Sequence, residues 1–479
     1  MDVLLLEGLK IAREQGVDYA ELRGVTSTEQ LISVKNGSLD TLMESETRGI
    51  GVRVLLAGYW GFAAAPALLP EQIEELVLQA MAVARASALG GGEPARLSPY
   101  VSVQTSYKSP LEEDPFAIPN ADKLELLLAA DQEMNLPGVA VRQAQMRFRR
   151  ERKQFVSTLD SVIDQTFVYS GGGLTITAVT DEDAQVRTYP CGFGGNYASR
   201  GYEYIRELDL VGNARKTAEQ ALELVRAPLC PDEETDIIIA GSQLALHLHE
   251  TCGHAVELDR ALGSEISLAG GSFLTPDKLG NYRYGSNIVN ITADATISGA
   301  PGSFAYDDEG VKAQVTPIIR NGIFQNYLSG RESAGAIGRF SSGAMRAQSW
   351  HHLPLVRMTN VNLHPGHGSL ADLVGGIERG LLLETNRSFS IDDQRLNFQF
   401  GTEIGWRIAG GKITHMVKNP VYTGITPEFW SRCDGIAGPE AWQMWGIPNC
   451  GKGEPLQAMM VGHGAAPARF RRVKAGAAR

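Results

Sequence analysis

The chain has few cysteines, and they show no pairing pattern. Its five cysteines, at positions 191, 230, 252, 433 and 450, are odd in number and scattered over 479 residues. Secreted disulfide frameworks use closely spaced, even sets of cysteines. The sequence therefore predicts a reduced compartment, and we expect the protein in the cytoplasm.

Long apolar runs are also missing. No uninterrupted apolar segment approaches the roughly 18 residues that are needed to span a bilayer. The first residues lack the basic region and the cleavage site of a secretory signal. We therefore expect no association with membranes.

Basic side chains are fewer than acidic ones. The 44 lysines and arginines stand against 55 aspartates and glutamates, for a net charge of −11. Because binding to a phosphate backbone relies on clustered lysine and arginine, a nucleic-acid partner is disfavoured. The phosphate-loop pattern Gly-x-x-x-x-Gly-Lys-Ser/Thr is absent as well.

Hydrophobic periodicity divides the chain into two parts. Up to residue 228, amphipathic helices alternate with strands, and Asn36-Gly37 is a strong hairpin turn. The glycine run 171–173 is predicted to mark a further turn. Many short strands separated by turns follow residue 229. We expect an α+β fold, with an N-terminal α/β domain (1–228) whose sheet is mostly antiparallel, and a β-rich C-terminal domain (229–479) that carries the metal-binding helix.

The segment 244–258 is the most informative stretch. It follows an apolar run that predicts a buried strand, and Ser242 is placed to cap the helix that comes next. This helix carries His249, Glu250 and His254. Two imidazoles beside a carboxylate on one element suggest a zinc site with its own general base.

The spacing of these histidines is unusual. In the familiar zinc-peptidase helix the histidines are at i and i+4, about 40° apart around the axis, whereas i and i+5 places them about 140° apart. Both can reach one ion if the helix widens into a π-type turn, which Gly253 would permit. Spacing alone leaves open two structural histidines beside a surface glutamate.

A catalytic zinc site needs a third protein ligand and one open position. The candidate is Cys450, within a glycine-rich segment (448–455) that is predicted to be a loop. A small core cysteine is the alternative.

Several separate phrases resemble one family. In order along the chain they are His249-Glu-Thr-Cys-Gly-His254, Asp307-Asp-Glu-Gly310, Ile323-Phe-Gln-Asn-Tyr-Leu328, Pro354-Leu-Val-Arg-Met-Thr-Asn360 and Asn449-Cys-Gly-Lys-Gly-Glu454. Together they resemble the TldD/PmbA family of zinc metallopeptidases, once described as modulators of DNA gyrase. Residues 49–63 resemble its N-terminal segment, so the likeness covers nearly the whole chain.

The resemblance implies a Zn²⁺ ion held by His249, His254 and Cys450, with Glu250 as general base and a zinc-bound water as nucleophile. It implies hydrolysis of short or unfolded peptides by the active, TldD-like branch. The expected assembly is a homodimer or a heterodimer with a metal-free paralogue. The alternative is a non-catalytic regulatory or scaffold subunit, which would have no need of a carboxylate at Glu250.

Other side chains have open roles. Cys252 is a second thiol that could compete for the metal, and Glu257 could orient His254 or form a surface ion pair. Asp307 and Asp308 belong to an acidic turn that shapes the cleft or binds a substrate amine. His247 falls on another face of the helix, and we expect a packed or an exposed histidine rather than a ligand.

Overall fold

The structure is a computed structural model that describes residues 2–66, 69–268 and 270–478. The expected α+β class is confirmed, because helices and antiparallel strands fill the first part and strands dominate the second. No helix in these three ranges is both long and apolar enough to cross a membrane.

The first part contains one large sheet with helices packed on it. Its helices are α1 (Asp2–Glu14), α2 (Ile73–Leu89), α3 (Asn120–Glu133), α4 (Glu203–Leu208) and α5 (Leu210–Leu224). Its strands are β1 (Tyr19–Lys35), β2 (Ser38–Leu56), β3 (Tyr59–Pro66), β4 (Gln104–Lys108), β5 (Val139–Ser157), β6 (Val162–Val179), β7 (Ala184–Tyr189) and β8 (Asn196–Ala198).

The strand order of this sheet is β3-β2-β1-β5-β6-β4, and β7 and β8 also pair with β6. The turn between β1 and β2 is Asn36-Gly37, as predicted, and both residues have positive φ (48° and 79°). Within the described ranges β4 is the strand of this sheet that pairs in parallel. Helices α1 and α2 pack on β1 and β2, while α3 and α5 pack on β5 and β6.

The turn predicted at residues 171–173 is wrong, because these glycines lie inside β6. They allow β8 and the turn before it to approach closely. A Cβ at Gly171 would stand 2.1 Å from the Tyr197 ring, and one at Gly173 would stand 2.5 Å from the Cα of Gly195. The glycine run therefore serves packing rather than chain reversal.

The second part is built mostly from strands. Its helices are α6 (Gly241–Leu248), α7 (Leu258–Ala261), α8 (Arg331–Ala336), α9 (Leu370–Gly375) and α10 (Thr426–Ser431). Its strands are β9 (Glu233–Ile239), β10 (Ile291–Asp294), β11 (Val315–Arg320), β12 (Ile323–Phe324), β13 (Met345–Arg346), β14 (Leu355–Val356), β15 (Val361–Leu363), β16 (Arg379–Ile391), β17 (Asn397–Ala409), β18 (Lys412–Lys418), β19 (Pro420–Ile425), β20 (Cys433–Ile436), β21 (Gln443–Lys452), β22 (Gln457–Ala465) and β23 (Ala468–Ala477).

A closed ring of strands lies at the centre of this part. The order is β16-β9-β23-β19-β17, and a further pairing of β17 with β16 completes the ring. Strand β9 is the apolar run that the sequence predicts before the metal-binding helix, and its three consecutive isoleucines are fully buried. Because α6 begins directly after β9, the ring positions the helix that carries the candidate site.

The acidic turn at residues 307–309 joins the two parts. Asp308 accepts a hydrogen bond from Lys153 Nζ at 2.9 Å, and Glu309 accepts one from Arg53 Nη1 at 2.9 Å. Asp307 accepts hydrogen bonds from three backbone N–H groups. These buried carboxylates are therefore paired within the protein, across the contact between its first sheet and its second part.

Candidate metal centre

The helix α6 widens at the motif into a π-helical turn, His249–Gly253. The backbone N–H of His254 donates to the carbonyl of His249, five residues earlier, as a π-turn requires. The π-type turn that the sequence predicts is present. It brings the two imidazole rings to a centroid distance of 4.8 Å, with their planes nearly perpendicular.

Two local details differ from the sequence prediction. Ser242 does not cap α6, which begins after Ala240 without a side-chain cap. Gly253 has an ordinary right-handed φ of −53°, so its conformation does not demand glycine. A Cβ at Gly253 would, however, lie 2.1 Å from Met358 Sδ. Close packing against Met358 is therefore the reason for a glycine at this position.

Three buried side chains converge beside the π-turn. Ligand atoms of His249, His254 and Cys450 all lie within 4.8 Å of one another, and Cys450 Sγ is 3.7 Å from His254 Nε2. Within the described residues this is the one cluster of three or more such side chains placed to hold a metal ion. The sequence predicts a loop at Cys450, but this residue lies on β21 opposite Met459 of β22.

Glu257 orients the ring of His254. Its Oε2 accepts a hydrogen bond from His254 Nδ1 at 2.9 Å and another from Arg260 Nε at 2.8 Å, and Lys452 Nζ lies 3.3 Å away. Burial alone would raise the pKa of Glu257, but the cations around it hold this pKa well below its ordinary value. Because the carboxylate accepts a hydrogen bond from Nδ1–H, the neutral ring carries its proton on Nδ1, and the lone pair of Nε2 is available to a metal.

His463 orients the ring of His249. It lies on β22, and its Nδ1 is 3.0 Å from the carbonyl oxygen of Val361. Because a carbonyl oxygen can only accept a hydrogen bond, Nδ1 of His463 carries the proton and donates it to this bond. Its Nε2 therefore carries the lone pair that faces His249 Nδ1 at 2.8 Å. His249 must donate from Nδ1, which leaves its Nε2 unprotonated. Burial lowers the pKa values of both histidines, which favours the neutral rings that this arrangement needs.

Arg357 lies beside Cys450, the third side chain of the cluster. This buried guanidinium donates to the carbonyl oxygens of Cys450 and of Gln457, which fixes the β21–β22 hairpin. Burial alone would raise the pKa of the Cys450 thiol, but the neighbouring His254 and Arg357 outweigh it and lower that pKa. This shift is toward the thiolate, which is the form that binds a metal.

Glu250 lies at the wall of the same site. Its Oε2 accepts a hydrogen bond from Arg395 Nη1 at 3.0 Å, and both side chains are buried. Its Oε1 accepts no hydrogen bond from the part of the chain that the structure describes. A cavity with about 1040 Å³ of empty space, part of it open to solvent, is lined by these groups and by apolar side chains of several elements.

Two residues with open roles lie away from the cluster. Cys252 is packed in the core, where burial raises the pKa of its thiol to about 12, and it is not part of the three-residue cluster. His247 is buried among aromatic rings of the strand ring and α10, including Phe398 and Phe429 at centroid distances of 4.9 and 4.6 Å.

Sequence reasoning missed His463 and Arg395. Neither belongs to a recognisable motif, and each lies more than a hundred residues from the π-turn along the chain. The donor set of two imidazole nitrogens and one thiolate fits a zinc ion, which prefers nitrogen and sulfur ligands in tetrahedral sites. Three protein donors beside an open cavity also leave a fourth position free.

Comparisons with known proteins relate the chain to metallopeptidases. Residues 232–467 match the PmbA/TldA metallopeptidase C-terminal domain, and residues 20–84 match the PmbA/TldA metallopeptidase domain 1. A metalloprotease of Methanothermobacter thermautotrophicus is 30% identical over 97% of this chain and 96% of its own length. A zinc metalloprotease TldD homolog of Saccharolobus solfataricus is 30% identical over 40% of this chain and 41% of its own.

A solved structure shares the fold. TldE from Thermococcus kodakarensis superposes with a TM-score of 0.71 over 99% of both chains, at 17% sequence identity. At this identity the likeness concerns the fold of the whole chain.

Proposed function

The chain belongs to the PmbA/TldD metallopeptidase family, and we propose that it hydrolyses peptide bonds with a zinc ion held by His249, His254 and Cys450. The observation that carries this proposal is the convergence of three buried donor atoms within 4.8 Å, beside Glu250 and an open cavity. Glu250 is proposed as the general base.

A zinc ion in this position would supply a Lewis acid that polarises the scissile carbonyl and acidifies a water molecule. Glu250 would then accept the proton of the attacking water on Oε1, since Oε2 is already held by Arg395. The same carboxyl group would deliver that proton to the leaving amine. Arg395 would keep the carboxylate in a single orientation throughout.

An extended peptide is the proposed substrate. Residues 389–391 of β16 line the metal cavity. Strand β9 lies along one edge of β16 and pairs there only with Gly380–Leu383. Within the described ranges, the rest of that edge, toward Ile391, has no partner strand. A peptide in extended conformation could add to this edge through main-chain hydrogen bonds, which tolerate many sequences. Short or unfolded chains fit this requirement, whereas compact domains do not.

A dimer is the proposed assembly, formed with a second copy or with a metal-free paralogue. A non-catalytic subunit is the second candidate function. The buried ion pair of Glu250 with Arg395 argues against it, because a purely structural zinc site needs no carboxylate held at its edge. The mass of the active species in solution, measured by light scattering after gel filtration, tests the assembly, and a monomeric active enzyme would contradict it.

The catalytic proposal is tested by Glu250→Gln, which keeps the size of the side chain but cannot accept the proton. We expect zinc content to stay at about one ion per chain. We expect kcat on an unfolded peptide to fall by about 10²–10⁴, the usual contribution of a positioned acid–base group. Glu428→Gln, at an exposed position, is the matched control.

Two results would contradict the assignment. A Glu250→Gln protein that retains zinc and cleaves at the wild-type rate would show that another group is the base. A Cys450→Ser protein that retains zinc as tightly as wild type would show that Cys450 is not a ligand, because a hydroxyl is a much weaker zinc ligand than a thiolate.

A further inference from the structure

A second cavity lies between the sheet of the first part and the strands of the second. It has about 720 Å³ of empty space, part of it open to solvent, and shares no lining residue with the metal cavity. Its charged wall consists of Arg147, Arg149, Lys153 and Arg346 together with Glu151, Asp307 and Asp308.

Arg346 has an unusual environment in this wall. It is 6% exposed, and its Nη1 donates to the carbonyl oxygens of Met358 and Met460, both at 2.9 Å. Its Nε and Nη2 donate no hydrogen bond to any residue in the described ranges, and no carboxylate there forms an ion pair with it. By contrast, the buried Arg53 and Arg260 each pair with a carboxylate.

The free edge of this guanidinium has a definite chemical preference. Nε–H and Nη2–H point in parallel from one side of the planar group, and this pair of donors matches the two oxygens of a carboxylate. Burial is the main cause that lowers the pKa of Arg346, and the nearby Tyr169, Asp308 and Glu151 offset it only in part. A bound anion would supply the missing partner.

The other charges of the wall do not fill that role. Glu151 pairs with Arg149, and Asp308 accepts a hydrogen bond from Lys153 at 2.9 Å. The lining carries four basic and three acidic side chains, although the whole chain has a net charge of −11. The lining therefore carries a small excess of basic groups. Arg346 is the cation in this wall that forms no ion pair within the described residues, although Asp308 and Glu151 lie close enough to interact with its charge.

Apolar and aromatic side chains form another part of the wall. Phe167, Tyr169, Phe304, Met459 and Met460 line it. The Phe304 ring lies 5.7 Å from the guanidinium carbon of Arg346. An apolar group of a ligand would therefore rest against these side chains while its anionic end reaches Arg346.

We propose that this cavity binds a small molecule with a carboxylate next to an apolar group, the carboxylate pairing with Nε and Nη2 of Arg346. A free organic acid and the C-terminus of a short peptide share this chemistry. The proposal does not depend on the function proposed for the metal centre, since the two cavities are lined by different residues.

The test is calorimetric titration of the zinc-loaded protein with 3-phenylpropionate and with its neutral amide. We expect saturable binding of the acid at one site, and binding of the amide at least about tenfold weaker, since a hydrogen bond to a charged group is lost. Arg346→Gln should weaken binding of the acid by a similar factor. Arg206→Gln, on an exposed ion pair, is the control and should change nothing.

Two further variants locate the site. Met460→Trp fills the cavity while keeping Arg346, and it should abolish binding even if Arg346→Gln fails to fold. Cys450→Ser alters the metal centre and should leave binding intact. The opposite pattern, with binding lost in Cys450→Ser and kept in Met460→Trp, would place the acid on the metal and overturn the proposal.

The chemical source is resolved by a second titration with N-acetyl-glycyl-phenylalanine. Tighter binding of this peptide than of 3-phenylpropionate identifies a peptide C-terminus, and the reverse identifies a free acid. Absence of saturable binding of both compounds to wild type would overturn the proposal. Inorganic phosphate that binds as tightly as the carboxylates would do the same.

Discussion

Replacing Glu257 with glutamine tests how the ion-pair cluster behind the metal centre supports His254. Glu257 is fully buried and accepts hydrogen bonds from His254 and Arg260, with Lys452 at 3.3 Å. Lys452 also pairs with Asp259 at 2.7 Å. In the Glu257→Gln protein, two buried cations would share one remaining carboxylate, and the His254 ring would lose its charged acceptor.

The expected magnitudes follow from these contacts. Breaking a buried ion pair costs about 3–5 kcal/mol of unfolding free energy, and we expect a value near 3 because glutamine keeps one acceptor oxygen. Loss of the partner that orients a metal-binding histidine weakens metal affinity by about 10–100-fold, or about 1.4–2.7 kcal/mol. The two effects are separable because the first is present without metal.

The loss of stability and the loss of zinc affinity are measured by two separate assays. Urea unfolding of the zinc-free protein gives the stability difference, and competition with a coloured chelator gives the zinc dissociation constant. Glu113→Gln, which removes an exposed ion pair with Arg206, should change stability by less than about 1 kcal/mol. If stability falls while zinc affinity stays at the wild-type value, Glu257 only balances charge and the orientation argument is refuted.

Three further predictions concern neighbouring side chains. His463→Phe removes the acceptor for His249 Nδ1–H, so zinc affinity should fall at least about tenfold while the fold is kept. Gly253→Ala places a Cβ 2.1 Å from Met358 Sδ and should destabilise the protein by about 1–3 kcal/mol. Burial lowers the pKa of His247 to about 3, so the unfolded chain binds a proton below pH 6.5 that the native protein does not. Through this residue, stability should therefore fall on acidification by up to roughly 1.4 kcal/mol per pH unit, and His247→Phe should remove that share of the slope.

Each of these predictions has a clear counter-result. Unchanged zinc affinity in His463→Phe, measured with the same chelator, would mean that His249 is oriented without that hydrogen bond. Wild-type stability of Gly253→Ala in urea would mean that Met358 moves aside freely. Identical pH dependence of the urea midpoints for wild type and His247→Phe, between pH 7 and pH 5, would mean that His247 does not stay neutral in the fold.

Local patterns in the sequence are sufficient to predict several features of the protein. The apolar run before the motif predicts the buried strand β9, and Asn36-Gly37 predicts the hairpin between β1 and β2. The spacing of His249 and His254 predicts the π-turn, because no regular α-helix can direct both rings at one ion. The family followed from phrases spread along the chain. The domain boundary after residue 228 and the roles of the site residues stay predictions.

Only the tertiary structure decided the surroundings of the site. It placed Cys450 on a strand, brought His463 to His249 and brought Arg395 to Glu250. It also showed that the glycines at 171–173 serve packing within a strand. All of these features escape prediction for the same physical reason. Propensity and periodicity reflect only the interactions of a residue with its near neighbours along the chain. Contacts between distant segments depend on the closure of the strand ring and on which side chains then fill the space beside it.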